Sequence, residues 1–326
     1  MRDSRMLKVM VILFIDDQLL AKEREKLIQL FLPECSVVVV TGVDEVKQHL
    51  TDADIIVSTA MFPIGRSHME KAERLRFIQI LGVGTDHVDL DAARELGITV
   101  ANVDGANAVS VAEHVLMSAL ALLRDLANTH ESMKQGEWPF SVWAGRAQEL
   151  AGKTVGIMGM GRIGKAVAER FSAFDVSLLY YARSELRLSD MSKGRQADFS
   201  TLLAQSDILT VHLPLTPETH ELLNRERLFK MKRGAFVINT SRAGLVEETA
   251  LIEALSSHLG GAALDVFHQE PLPADNKLRK LPNVLLTPHG AGVTIEAQNR
   301  IAQGAVFNIR RFIAGERLAD VKITGK

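Results

Sequence analysis

The chain has 326 residues, 47% of them apolar and 24% charged, which at roughly 150 residues per domain predicts two domains and excludes a disordered, collagen-like or fibrous chain. Lys and Arg number 38 against 40 Asp and Glu, so the net charge of -2 offers no basic surplus for nucleic acid or an anionic membrane surface. The single cysteine, Cys35, excludes an intrachain disulfide and a paired-cysteine zinc site, and reads as a small buried apolar residue.

Residues 9–15 form an apolar run behind Arg2, Arg5 and Lys8. Asp16 and Asp17 end it without a small-residue cleavage site, so it reads as a buried first strand of a parallel sheet rather than a signal peptide. No run reaches the roughly 18 apolar residues that span a membrane, and the expectation is a soluble cytoplasmic protein. Further strands are predicted over 37–41, 55–58, 77–81 and 99–101, with helices over 19–31, 43–49, 67–72 and 89–95. Gly97 stands just past the last of these helices, the usual place for a C-terminal glycine. Such alternation predicts a parallel sheet with helices on both faces.

A long helix is predicted over 108–133. Val111, Val115, Ala119, Leu122 and Leu126 lie along one stripe, and Ala112, Leu116, Leu120 and Leu123 widen it. A helix apolar over most of its circumference fits a subunit or domain interface, or a fully buried core position. The connector 136–152 carries Trp138, Pro139 and Trp143. A second α/β series comes next, with strands over 154–158, 177–181, 208–213, 235–239, 261–265 and 284–287 and helices over 163–173, 199–205, 225–230 and 248–256. The last segment, 294–314, reads as a helix with no strand after it, able to join either domain. The two series split near residue 102.

Strand 154–158 runs directly into Gly159, Met160, Gly161, Arg162, Ile163 and Gly164, and a helical pattern continues from Lys165. In that setting Gly159 permits a tight turn, Gly161 lets the backbone approach a pyrophosphate, and Gly164 lets helix and strand pack closely. The helix start then offers free N–H groups to an anion. An acidic residue about 20 positions on would bind the ribose hydroxyls of NAD. Ala182 stands there instead, 21 residues after Gly161. With Arg183 and Ser184 adjacent, this favours the 2′-phosphate of NADP; NAD with Arg183 stacked on adenine is the alternative.

The stretches 105–114 (GANAVSVAEH), 159–164 (GMGRIG), 211–216 (VHLPLT), 239–244 (NTSRAG), 265–271 (DVFHQEP) and 287–289 (TPH) together resemble the D-isomer-specific 2-hydroxyacid dehydrogenases, in order and in spacing. The resemblance implies an α/β chain of two doubly wound parallel-sheet domains. Residues 1–102 and 290–326 would form a flavodoxin-like substrate domain and 103–289 a Rossmann dinucleotide-binding domain, with the active site in the cleft. The helix 108–133 resembles the family's dimerisation helix, so a homodimer is expected.

The resemblance assigns Arg242, Glu270 and His289 as catalytic, and chemistry supports each. Reduction of a 2-oxo acid needs a proton donor, and histidine titrates near neutrality. Of ten histidines, His289 comes after a predicted buried strand and so sits at the edge where α/β sheets bind ligands. A carboxylate beside it, Glu270, would favour the imidazolium and fix the ring. Arg242 offers a planar fork to the substrate carboxylate. The loop carrying Val83 and Gly84 resembles the family's carboxylate-binding loop, so main-chain N–H donors are expected there. Ser58 to Phe62 would shape the pocket. Asp265 resembles the residue that bonds the nicotinamide carboxamide, and His212, Pro214 and Thr240 would line the cofactor cleft.

Within the family, formate dehydrogenases pair their histidine with glutamine, and Glu270 stands against that reading. Phosphoglycerate dehydrogenases often carry a further C-terminal domain, whereas this chain ends 37 residues after His289, and Ser58 lacks a basic neighbour for a substrate phosphate. Reduction of glyoxylate or hydroxypyruvate is the expected activity. Another small D-2-hydroxy acid, or a dinucleotide-sensing corepressor of the same fold, is the alternative.

Overall fold

A computed structural model describes residues 6–12, 35–59, 62–182 and 194–325. The helix expected over 19–31, the first strand beyond Ile12, and Ala60, Met61, Arg183 and Ser184 lie outside the described residues. The chain divides into two units, Met1–Asn107 with Ile295–Lys326, and Ala108–Thr294.

The first unit is built on strands that lack a polar alternate. In β1 (Lys8–Ile12) four consecutive residues from Val9 are completely buried, as a strand covered on both faces requires. After it come β2 (Ser36–Val40), α1 (Val43–His49), β3 (Ile55–Ser58), α2 (Arg66–Lys71), β4 (Phe77–Ile80), α3 (Leu90–Glu95) and β5 (Thr99–Ala101). Asp89 caps α3 by accepting the Ala92 N–H at 2.9 Å, and Gly97 just beyond it takes φ +71°.

The second unit opens with α4 (Ala108–Leu123), α5 (Leu126–Lys134) and α6 (Phe140–Ala144). It continues through β6 (Thr154–Met158), α7 (Arg162–Phe171), β7 (Ser177–Tyr181), β8 (Arg195–Gln196), α8 (Phe199–Gln205) and β9 (Ile208–Val211). Then come α9 (Arg225–Phe229), β10 (Phe236–Asn239), α10 (Glu248–Ser257), β11 (Gly261–Leu264) and β12 (Val284–Leu286). Helix α7 buries Gly164, Val167, Ala168 and Phe171, one stripe at helical spacing, while Arg162, Lys165 and Glu169 stay outside it. The chain then returns to the first unit with α11 (Ile295–Ala314) and β13 (Val321–Ile323).

Strand order in the first sheet is β13-β5-β4-β3-β1-β2, and in the second β12-β11-β10-β9-β6-β7-β8. Both are doubly wound. In the second, the order reverses between β6 and β9, which makes that point the natural crevice for a ligand.

Two expectations are corrected, and the last helix, which either domain could have taken, is placed. The helix over 108–133 is two helices, because Asp125 takes a left-handed φ of 48° between α4 and α5. The break is laced to the connector: Gln148 N–H donates to Leu123 O and the Trp143 indole to Arg124 O, each at 2.8 Å. A strand does come after the last helix, and it runs antiparallel to β5, so the first sheet is not wholly parallel. With three residues and only Ile323 buried, β13 has no readable alternation. Helix α11 joins the first unit through buried amides, Asn308 Nδ2 donating to Gln79 Oε1 at 3.0 Å and Asn308 Oδ1 accepting from Ala319 N at 2.9 Å.

Candidate active site

Strands β6, β9, β10, β11 and β12 are parallel neighbours, so the loops leaving their carboxyl ends share one sheet edge. Those loops carry, in spatial order, Gly159, His212, Arg242, Glu270 and His289. The parallel order, and not chain proximity, assembles them.

The first of these loops is a cradle. Gly159 takes φ +102°, and a Cβ there would meet the His212 carbonyl oxygen at 2.5 Å. A Cβ on Gly164 would press into the Gly159 carbonyl, so only glycine lets α7 begin so close behind β6. Gly161 caps α7 with backbone alone and has open space within 4 Å of where a Cβ would stand. Gly161 brings no side chain to the start of α7 at Arg162 and Ile163, the form of helix start that suits a diphosphate. Beside the cradle, His212 shares a 2.9 Å hydrogen bond with Thr210 Oγ1, and burial pushes its pKa down to about 3, so the ring is neutral. The Pro214 carbonyl accepts from Thr219 Oγ1 at 2.7 Å, which fixes the turn after β9. Thr240 Oγ1, just past β10, is buried with no hydrogen-bond partner among the described residues, which fits a group left for a bound dinucleotide. Ala182, past β7, is partly buried.

His289 and Glu270 meet. The His289 Nδ1 lies 2.7 Å from Glu270 Oε2, and the other carboxylate oxygen accepts the Phe267 N–H at 2.8 Å. A carboxylate can only accept, so Nδ1 carries the hydrogen and Nε2 is left for a reacting group. His289 is 50% exposed and Glu270 37%. The backbone under the ring is strained, with φ 52° at His289, a conformation that costs a non-glycine residue roughly 1–3 kcal/mol.

Arg242 is held from behind. Asn239, 1% exposed, donates from Nδ2 to the Arg242 carbonyl at 2.9 Å and accepts the Ser241 N–H at 3.0 Å, while Arg242 Nη1 donates to Ser241 O at 2.7 Å. Strands β10, β11 and β12 are successive neighbours, so Arg242 shares one sheet edge with Glu270 and His289. Asp265 is 1% exposed, and it bonds the chain's own turn: Oδ1 accepts from Thr287 Oγ1 at 2.6 Å and Gly290 N at 2.8 Å, and Oδ2 from Ala291 N at 2.9 Å. Asn239 and Thr287 carry no distinctive sequence signal beyond lying inside the NTSRAG and TPH motifs.

In the first unit, the loop after β4 holds Val83 and Gly84, and Asn102 Nδ2 fixes it by donating to Val83 O at 2.6 Å. Among the described residues, no group of three or more His, Cys, Asp or Glu side chains could hold a metal ion, and no helix is long and apolar enough to cross a membrane.

A glycine cradle at the switch point of a doubly wound sheet, with an imidazole–carboxylate pair on the two strands next to a buried threonine hydroxyl, defines a nicotinamide-dinucleotide oxidoreductase. The family model for the D-isomer specific 2-hydroxyacid dehydrogenase NAD binding domain matches residues 116–291. A formate dehydrogenase of Arabidopsis thaliana is 37% identical over 279 residues, 83% of this chain and 72% of that protein. A glyoxylate reductase of Thermofilum pendens is 39% identical over 279 residues, 84% of this chain and 82% of that protein. The crystal structure of NAD-dependent formate dehydrogenase from Staphylococcus aureus in complex with NAD superposes with a TM-score of 0.88 at 36% identity, covering 98% of this chain and 100% of that one. The chain belongs to the D-isomer-specific 2-hydroxyacid dehydrogenase family.

Proposed function

We propose that the protein reduces a small 2-oxo acid, glyoxylate or hydroxypyruvate, to its D-2-hydroxy acid. The observation that carries this reading is the 2.7 Å pair of His289 Nδ1 and Glu270 Oε2. The nicotinamide, when bound, supplies a hydride to the carbonyl carbon. His289 Nε2 gives the carbonyl oxygen its proton, and Glu270 holds the ring by Nδ1 and offsets the charge of the imidazolium. Arg242 pairs with the substrate carboxylate and polarises the carbonyl. In the reverse direction the neutral ring takes the proton back.

Formate oxidation is the second reading, favoured by the formate dehydrogenases among the relatives. It releases carbon dioxide without passing a proton to or from the enzyme, so it has no use for a carboxylate-backed imidazolium. Following reduced-nicotinamide absorbance with glyoxylate, hydroxypyruvate and phosphohydroxypyruvate in one direction, and with formate in the other, decides between them. Turnover of formate alone overturns our reading.

We infer a preference for NADP, supported by Ala182 where an NAD site places a carboxylate. A homodimer through α4 and its neighbours is supported by exposed apolar side chains, Met117 at 53%, Leu126 at 58% and Trp138 at 78%. Light scattering in solution tests it.

A further inference from the structure

The turn that carries His289 is tied to α4 by a chain of hydrogen bonds that the reaction itself does not use. Asp265 Oδ1 accepts from Thr287 Oγ1 at 2.6 Å, and Thr287 Oγ1 lies 3.2 Å from His114 Nε2. Since a carboxylate only accepts, the threonine spends its single hydrogen on Asp265, and its lone pair must accept from His114. That dictates a hydrogen on Nε2 of His114. The same carboxylate takes the N–H groups of Gly290 and Ala291, and the Asp265 carbonyl takes the N–H of His289 at 2.9 Å. One buried aspartate thus holds both the residue before Pro288 and the three residues after it.

We propose that His114, Thr287 and Asp265 form a positioning relay that keeps His289 in its left-handed backbone conformation, with the imidazole seated on Glu270. The inference rests on His289 being the proton donor of the proposed reduction. Without the relay, the turn relaxes toward ordinary φ, and Nε2 moves from the place where the carbonyl oxygen takes its proton. None of the three touches the substrate in this scheme. They act through the turn, so the effect falls on kcat rather than on substrate or dinucleotide binding.

Thr287→Val keeps shape and removes both hydroxyl bonds. It is expected to lower kcat roughly 10- to 100-fold, with KM and dinucleotide Kd held within about 3-fold, well under the change that one lost binding contact produces. Thr287→Ser restores the hydroxyl and most of kcat. His114→Gln, which retains a donor near the Nε2 position, outperforms His114→Phe. Amide hydrogen exchange gives a readout that needs no turnover: Gly290 and Ala291 exchange faster in Thr287→Val and not in Thr287→Ser. Side-chain nitrogen NMR of the wild-type protein should show His114 with a hydrogen on Nε2. Unchanged exchange in Thr287→Val, a serine variant as defective as the valine one, or an unprotonated His114 Nε2 overturns the relay. If exchange responds as stated while no 2-oxo acid is reduced, the relay stands and the proposed reaction falls.

Discussion

Two sheets of the same winding, one in each unit, differ in the side chains placed just beyond their strands. In the second unit the loops after β6, β9, β10, β11 and β12 carry a strained glycine, a neutral histidine, an arginine and an imidazole–carboxylate pair. In the first, the corresponding ends of β3, β4 and β5 carry Ser58, the Val83–Gly84 backbone and Asn102, a side chain used to brace that backbone. Both units have cores of the same kind, with Phe77 and Phe171 each fully buried. The fold therefore supplies an edge on which chemistry can be placed, and the side chains at that edge determine which unit performs it.

The largest effect that tests this contrast is His289→Ala, expected to lower kcat for 2-oxo acid reduction about 10²- to 10⁴-fold in steady-state assays. Retained turnover would move the proton donor elsewhere and erase the difference between the two edges. Next are the cradle glycines. Gly159→Ala combines φ +102° with a Cβ pressed onto His212 O at 2.5 Å. It should cost roughly 1–3 kcal/mol in denaturant unfolding and weaken dinucleotide binding. At Gly161, where the backbone has ordinary φ of -72° and open space, alanine should leave unfolding unchanged and weaken only the dinucleotide titration. Equal effects of the two substitutions on stability would refute that separation.

Ala182→Asp sharpens the comparison at the adenosine end. It is expected to shift the ratio of kcat/KM for NADPH and NADH toward NADH by roughly tenfold, about 1.4 kcal/mol. The smallest effect, taken per pH unit, concerns His212, whose ring is neutral in the folded chain, with a pKa near 3 against 6.5 for the free side chain. Between those values only the unfolded chain takes up the proton. Stability is therefore unaffected above pH 6.5 and falls as pH drops from 6.5 toward 3, by roughly 1 kcal/mol per pH unit. Denaturant midpoints measured through that window should fall more steeply for the wild type than for His212→Gln.

Much of this was legible in the chain itself. Buried strands announce themselves as runs such as Val9 to Ile12, and amphipathic helices such as α7 through spacing alone. The glycine turn was readable because its chemistry depends on backbone, and at Gly159 and Gly164 that backbone leaves no room for a Cβ. His289 and Glu270 were readable because each stands shortly after a strand. The features that stayed hidden depend on contacts between residues distant in sequence. The break at Asp125 is fixed by Gln148 and Trp143, some twenty residues along, and no local propensity reports it. Strand β13 is too short to carry a period, and it exists because β5 offers it an edge.

Composition, spacing and motif order by themselves determined the class of fold and the family, and singled out the side chains proposed to react, since these derive from local periodicity and from which side chains can move a proton. Only the tertiary structure decided that His289 closes on Glu270 over a left-handed backbone, and that Asp265 spends its carboxylate on the turn beneath. Both outcomes depend on distances between separate strands, which parallel pairing sets to within an ångström and a linear string of residues does not encode.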